Sequence, residues 1–189
     1  MKKSKSGKSN RILKRILYFG FNLLIILIAL EIILRIYNPF PFRIKGDKIV
    51  LDRNRKYIIQ NHDIPPLQKE ITLIKNSLGF RGEEMPPDYH QKLSIITVGG
   101  STTECTHLAE NQTWSHHLFK KLDSSFKLWG NNAGLAGHST FGHNILVQDY
   151  LIKLKPRVAI FLIGCNDIER DDLSASDKSN MSDHYANFL

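Results

Sequence analysis

The chain has 189 residues, of which 42% are apolar and 23% are charged, and its formal net charge is +8. This composition suits one globular domain with one additional element, and it excludes disordered, collagen-like and disulfide-rich chains. Seven of the positive charges lie in residues 1–15, which leaves +1 for the rest of the chain. A nucleic-acid-binding face needs its positive charge on the folded part, so nucleic acid is not an expected partner.

The first long feature is an apolar run of 21 residues, positions 16–36, in which only three polar side chains occur. A bilayer core about 30 Å thick requires about 20 such residues, so the run predicts a membrane-spanning helix at 16–37. A cleaved signal peptide is the competing interpretation. Residues 31–41 disfavour it because they contain no small-x-small cleavage site.

Lysine and arginine are concentrated before this run and sparse just after it. The positive-inside rule therefore predicts a cytoplasmic tail at residues 1–15 and places everything after residue 37 outside the cytoplasm, in a periplasm or at a cell surface. Glu31 and Arg35 lie four residues apart on one helical face, where they are expected to pair. The lipid bilayer is thus an expected partner.

Residues 38–92 and 93–189 differ in proline content and in their pattern of apolar residues. The first part contains most of the prolines and only short strand-like runs, which predicts an extracytoplasmic stalk or extension packed on a domain. The second part alternates three β-rich runs with two helical patterns, which predicts an α/β fold with a parallel sheet and right-handed crossovers. The runs are Leu93–Val98, Phe126–Trp129 and Val158–Ile163; the helices are one capped by Asn111 and one at Phe141–Leu154.

The segments that follow the three runs are the candidates for a site, because open α/β sheets bind ligands beyond the carboxyl ends of their strands. They are residues 99–104 (GGSTTE), 132–139 (NAGLAGHS) and 164–167 (GCND). A serine on a glycine turn, a second glycine turn with a backbone N–H, and an asparagine carboxamide supply a nucleophile and donors for an oxyanion.

These segments resemble the first three conserved blocks of the SGNH (GDSL-type) hydrolases, in family order and at family-like spacing. Residues 76–82 (NSLGFRG) also resemble a segment that precedes the serine block in membrane-anchored members. The resemblance implies a flavodoxin-like, three-layer αβα fold around a parallel sheet of order 2-1-3-4-5. It also implies that Ser101 is the nucleophile, and that the oxyanion hole consists of the backbone N–H groups of Ser101 and Gly137 and the Asn166 side chain.

The sequence also departs from the family pattern. Gly100 stands where the eponymous Asp precedes the serine, as in the Gly-Gly-Ser-Thr-Thr branch, and the late Asp-x-x-His block that supplies the base does not occur. The nearest pattern, Glu104-x-x-His107, directly follows the serine, where the local geometry makes it a poor base. We therefore expect residues 93–189 to be the N-terminal portion of an SGNH domain, incomplete because the gene product is truncated or split.

The predicted function is that of a membrane-anchored esterase acting outside the cytoplasm on an ester-containing lipid, glycan or small molecule, with its base supplied by residues outside this sequence. The alternatives are an O-acyl or acetyltransferase or esterase of surface glycans, and a catalytically inactive, anchored binding or scaffold protein. His138, next to Gly137, is a candidate substrate contact.

No cofactor or metal is expected. The eight histidines show no metal-ligand spacing, and no P-loop lysine follows the glycines. Cys105 and Cys165 are expected to be free thiols, with a single bridge outside the cytoplasm as the alternative.

Overall fold

A computed structural model describes residues 6–36, 42–62 and 64–179, with side chains from residue 11 onward. The chain divides into two compact units, residues 1–41 and 42–189. The helices and strands are, in chain order, α1 (Ser6–Ile36), β1 (Ile44–Lys45), β2 (Lys48–Ile49), β3 (Arg55–Gln60), β4 (Glu70–Lys75), β5 (Arg81–Gly82), β6 (Leu93–Gly99), α2 (Ser101–Glu104), α3 (Trp114–Asp123), β7 (Leu128–Asn132), α4 (Thr140–Leu146), α5 (Ile152–Leu154), β8 (Val158–Leu162) and α6 (Leu173–Ser179).

The first unit contains α1, in which residues Arg11–Ile36 are long and apolar enough to cross a membrane. The expected ion pair is present, with Arg35 Nε 2.7 Å from Glu31 Oε1. The helix begins at Ser6, ten residues before the apolar run. Residues 1–5 of the predicted tail and residue 37 of the predicted span lie outside the described residues.

The second unit is built around a mixed sheet of order β5-β7-β6-β8. β6 pairs in parallel with β7 on one side and with β8 on the other. The first three predicted strands are therefore neighbours, with the first of them in the centre. The α/β prediction is confirmed, with parallel strands joined through helices.

One strand corrects the prediction of an all-parallel sheet. β5, from the segment predicted to be an extension, pairs antiparallel with β7. Gly82 makes this possible: its φ is +125°, and a Cβ atom there would lie 2.7 Å from Asn131 Nδ2. A two-residue strand of this kind has no periodic pattern that sequence analysis detects.

The main core packs the inner face of this sheet against the helical segment at 140–154. β6 is buried along almost its whole length. Trp129, Leu146 and Phe80 fill the same cluster, and each is less than 4% exposed. The segment agrees with the predicted helix at 141–154, except that residues Val147–Leu151 form a π-helical turn between α4 and α5.

Two element ends differ from their predictions. Thr113, and not Asn111, caps α3, since its Oγ1 accepts a hydrogen bond from the His116 N–H. The strand expected at Phe126–Trp129 is shifted to Leu128–Asn132, because Asp123 Oδ1 accepts the Leu128 N–H and orders the chain up to that point.

β8 lies at the edge of the sheet, and among the described residues it pairs only with β6. Phe161 and Leu162 are 47% and 50% exposed. Within the described part of the chain, β8 is therefore an apolar strand with one unpaired edge.

Residues 42–92 contribute two small hairpins. β1 pairs with β2 and β3 with β4, all antiparallel. Ile59, Ile71 and Leu73 form a separate small cluster under the second hairpin. The first hairpin joins the main core, and Asp149 Oδ2 accepts the N–H of Ile49.

Candidate active site

The three predicted site segments meet at the carboxyl edge of the sheet, because β7, β6 and β8 are parallel neighbours. Asn166 Nδ2 donates a hydrogen bond to the His138 carbonyl oxygen, 2.8 Å away. A Cβ atom on Gly100 would lie 2.5 Å from the same Nδ2. The structure therefore brings together the segments that carry Ser101, Gly137 and Asn166.

The two glycines before Ser101 are required by this close approach. A Cβ atom on Gly99 would collide with the carbonyl oxygen of Leu162 in β8 and with the Thr103 side chain, and one on Gly100 would collide with Asn166. Ser101 then begins α2 with its side chain exposed. The serine turn and the Asn166 carboxamide are therefore direct neighbours.

Asn166 lies in a short 3-10 turn, Cys165–Asp167, that starts at Gly164 with φ at +100°. Its carboxamide nitrogen has two hydrogens, of which the bond to His138 uses one, so a second N–H is left for a ligand. Asp167 Oδ1 accepts the Thr140 N–H at 2.8 Å and ties this turn to the start of α4.

The turn that carries Gly137 is held by two arginines. Gly137 has a φ of +79°, in the left-handed region that favours glycine. Arg43 Nη1 donates to the Ala136 carbonyl at 2.5 Å, and Arg170 Nη1 donates to the Gly137 carbonyl at 3.1 Å. Two guanidinium groups from distant parts of the chain thus fix consecutive peptide planes of this turn.

Glu104 supports the same turn from the side of α2. It is 1% exposed, and its carboxylate accepts from Lys75 Nζ at 2.8 Å and from the Ala136 N–H at 2.7 Å. Burial would raise the pKa of Glu104, but the charges of Lys75 and Arg43 outweigh burial and hold that pKa at about 2. The carboxylate therefore stays charged across the physiological pH range.

Asp177 supports the turn from the opposite side. This fully buried carboxylate on α6 accepts from the Ser139 N–H at 3.0 Å, from Ser139 Oγ at 2.9 Å and from the Gly142 N–H at 2.7 Å. Arg170 Nη1 lies 3.4 Å from its Oδ1. Asp177 therefore satisfies backbone donors at the start of α4 while its arginine partner binds Gly137.

Two histidines lie buried beside Asp177. His138 is 0% and His143 is 3% exposed, and the ring nitrogens of both have no hydrogen-bond partner among the described residues. Burial, together with the nearby charge of Arg43, lowers the pKa of His138 to about 4. Burial also lowers the pKa of His143; the Gly99 carbonyl faces that ring and offsets part of this effect, although the geometry falls short of a hydrogen bond.

The expectation that His138 contacts substrate is not supported, since its side chain is fully buried. The two residues of the Glu104-x-x-His107 pattern also have different partners. Glu104 pairs with Lys75, whereas His107 Nδ1 lies 2.7 Å from Asn61 Oδ1. α2 ends at Glu104, and Cys105 has a left-handed backbone, so the pattern does not lie on one helix.

Cys105 and Cys165 are free thiols. Burial raises the pKa of Cys105. Within residues 6–36, 42–62 and 64–179, no group of three or more His, Cys, Asp or Glu side chains has the geometry to hold a metal ion.

Sequence analysis missed four of the five charged side chains that shape the Gly137 turn; the fifth is Glu104. Arg43 and Lys75 belong to the segment interpreted as an extension, and Arg170 and Asp177 belong to the polar segment after Asp167. One local signal was available: Ser139 has the residue type of an N-cap, and its side chain does accept the Phe141 N–H.

No protein-family model, no curated protein and no solved structure matches this chain.

Proposed function

We propose that this protein is a membrane-anchored ester hydrolase of the SGNH type, with Ser101 as its nucleophile. The convergence of the Ser101, Gly137 and Asn166 segments at the carboxyl edge of three parallel strands carries the proposal. The order β7-β6-β8 corresponds to the 2-1-3 part of a flavodoxin-like sheet. The substrate is an ester-containing lipid, glycan or small molecule.

In the proposed reaction, Ser101 Oγ attacks the ester carbonyl carbon as its proton passes to a base, and the carbonyl π electrons move to oxygen. The second N–H of Asn166 and the backbone N–H groups of Ser101 and Gly137 stabilise the resulting oxyanion. Collapse expels the alcohol with a proton from the base, which leaves an acyl-serine. Water then attacks the acyl group and releases the acid, and the proton returns to Ser101.

The base is not assigned to His107, His138 or His143. His138 and His143 are buried, and His107 is bonded to Asn61. A serine without a base retains about 10³–10⁴-fold catalysis over water from oxyanion donors and binding alone. The activity test therefore uses the gene product from its natural start codon to its natural stop codon.

The test is turnover of a short p-nitrophenyl ester by the purified protein and by Ser101→Ala. We expect turnover in the natural protein and a loss of about 10⁴-fold or more in the variant, the scale seen for serine nucleophiles. Ser125→Ala is the matched control, because Ser125 lies in an exposed loop after α3. Absence of turnover in a cooperatively folded protein, or equal turnover in Ser101→Ala, would reject the hydrolase and favour the anchored scaffold.

The anchor is assigned to α1, with its basic end in the cytoplasm and residues 42–189 outside. Cys165 is a free, exposed thiol and provides the test. A membrane-impermeant maleimide applied to spheroplasts is expected to label Cys165 and not a cysteine placed at Ser6. The reverse labelling pattern would overturn the orientation, and Cys165→Ser identifies the labelled site.

A further inference from the structure

A groove of about 440 Å³ opens on the second unit between β2, the π-helical turn and the segment before β5. This volume lies within the range of small-ligand sites, about 300–1,000 Å³. None of its lining residues belongs to the segments of Ser101, Gly137 or Asn166. The groove is therefore a feature that the proposed hydrolase mechanism does not use.

The rim of the groove is cationic. Lys48, Arg53 and Lys153 line it, all three are exposed, and none of them forms an ion pair with another described residue of the second unit. Asp149 is the one acidic residue among the described lining residues, and its Oδ2 already accepts the Ile49 N–H at 2.9 Å. Two more positive than negative charges thus meet here, in a chain whose residues after the basic tail sum to +1.

The arginine of this rim is held in place. Arg53 Nη2 donates to Tyr150 Oη at 3.0 Å, and its guanidinium lies 5.4 Å from the centre of the Tyr150 ring. A guanidinium that is already ordered on an aromatic ring loses less conformational entropy when it binds an anion. Tyr150 itself belongs to the π-helical turn Val147–Leu151, a feature that occurs frequently at functional sites.

The floor of the groove is apolar. Leu78, Phe80 and Leu154 line it; Leu78 and Leu154 are half-buried and supply its accessible apolar surface, whereas Phe80 is 1% exposed and belongs to the main core. An inorganic anion would leave this floor exposed to water, and a neutral apolar ligand would leave the three cations without a partner. A ligand with an anionic head and an apolar body satisfies both parts.

We propose that this groove binds an oxyanion carried on an alkyl chain, with the phosphate or carboxylate head between Lys48, Arg53 and Lys153 and the chain against the half-buried Leu78 and Leu154. Such a ligand comes either from the bilayer, as an anionic lipid, or from solution, as an amphiphilic anion. The proposal is independent of the chemistry at Ser101.

The test measures how fast individual lysines are acetylated, by mass spectrometry of the full chain in phosphatidylcholine nanodiscs. Hexyl phosphate is expected to slow the acetylation of Lys48 and Lys153 several-fold and to leave Lys127, which is exposed outside the groove, unchanged. Inorganic phosphate and hexyl glucoside are the two comparison ligands, since each supplies only one half of the proposed chemistry. Nanodiscs that contain phosphatidic acid, without added ligand, test the bilayer as the source.

Arg53→Gln is expected to weaken protection by hexyl phosphate, whereas Arg55→Gln, at an exposed position of β3 outside the groove, is expected to have no effect. Protection in the phosphatidic acid nanodiscs assigns the ligand to the bilayer, and protection by hexyl phosphate alone assigns it to solution. The proposal is overturned by no protection at all, by equal protection from inorganic phosphate or hexyl glucoside, or by equal protection of Lys127.

Discussion

Two buried polar clusters flank the turn that carries Gly137, and they differ in whether their polar atoms have hydrogen-bond partners. On one side, both carboxylate oxygens of Glu104 have partners, Lys75 Nζ at 2.8 Å and the Ala136 N–H at 2.7 Å. On the other side, the rings of His138 and His143 lie 6.5 Å apart, and their nitrogens have no hydrogen-bond partner among the described residues.

The turn is therefore held on one side by groups that stay charged, and on the other side by histidines that are buried in their neutral form. A buried, fully paired carboxylate keeps its charge at any physiological pH, whereas a buried imidazole without partners is tolerated only while it is neutral. Asp177 lies on the histidine side, since a Cβ atom on Gly142 would collide with both its carboxylate and the His138 ring. Acid should therefore loosen the turn from the histidine side first.

The largest expected effect comes from removing the charge of Glu104. Glu104→Gln removes the buried counter-charge of Lys75, whose side chain is 4% exposed and whose Nζ lies 2.8 Å from Glu104 Oε1. Breaking a buried ion pair in this way costs about 3–5 kcal/mol. We expect the free energy of unfolding, measured by denaturant titration of the full chain, to fall by that amount.

Glu83→Gln is the matched control, since the Glu83 side chain is exposed and the hydrogen bonds that Glu83 accepts from Asn76 and Asn131 go to its backbone carbonyl. An exposed substitution of this kind is expected to change stability by less than about 0.5 kcal/mol. Equal stability of Glu104→Gln and Glu83→Gln would show that the ion-paired cluster does not hold the turn.

A smaller effect is expected from acid acting on the histidine pair. In the unfolded chain a histidine titrates near pH 6.5, whereas the pKa of His138 in the folded protein is about 4. The unfolded state therefore binds more protons between these values, so stability is full above about pH 6.5 and falls as the pH approaches 4. The expected loss for His138 is about 3 kcal/mol at most, and His143 contributes with the same sign.

The titration of Glu104 lies below the pH range in which the effect of the histidines is measured. Its pKa is lowered to about 2, so its own contribution is lost only between about pH 4.5 and 2. Asp177, Asp167, Arg43 and Glu104 are the charged groups that act on the two rings. His138→Leu or His143→Leu is expected to flatten the dependence of unfolding free energy on pH between 6.5 and 4.5, and an unchanged slope in both variants would contradict the assignment.

Local patterns predicted much of this fold. β6 and β8 are both apolar runs that end at a glycine turn, and the helix between residues 140 and 154 follows a period of 3.6 residues, so each could be placed from its own sequence. The positions of the serine, glycine and asparagine segments could also be predicted, because each segment directly follows a predicted strand.

Contacts between distant residues could not be predicted in this way. β6 is buried and β8 is exposed, yet their sequences are equally apolar, because burial depends on strand order rather than on composition. The Glu104–Lys75 and Asp177–Ser139 contacts join residues 29 and 38 positions apart, and no periodicity encodes such pairs. The supports of the candidate site are long-range electrostatic contacts, and these were the part that sequence analysis missed.

The smallest expected effect comes from Asp177→Asn. The Ser139 N–H is 3.0 Å from both carboxylate oxygens, and the Gly142 N–H is 2.7 Å from one of them, so an amide nitrogen in either place faces a donor. Leaving such a buried donor unsatisfied costs about 1–3 kcal/mol. Amide exchange at Ser139 and Gly142 should accelerate, whereas Asp171→Asn, at an exposed position, should leave it unchanged. Unaltered protection in Asp177→Asn would mean that the turn is held from the Glu104 side alone.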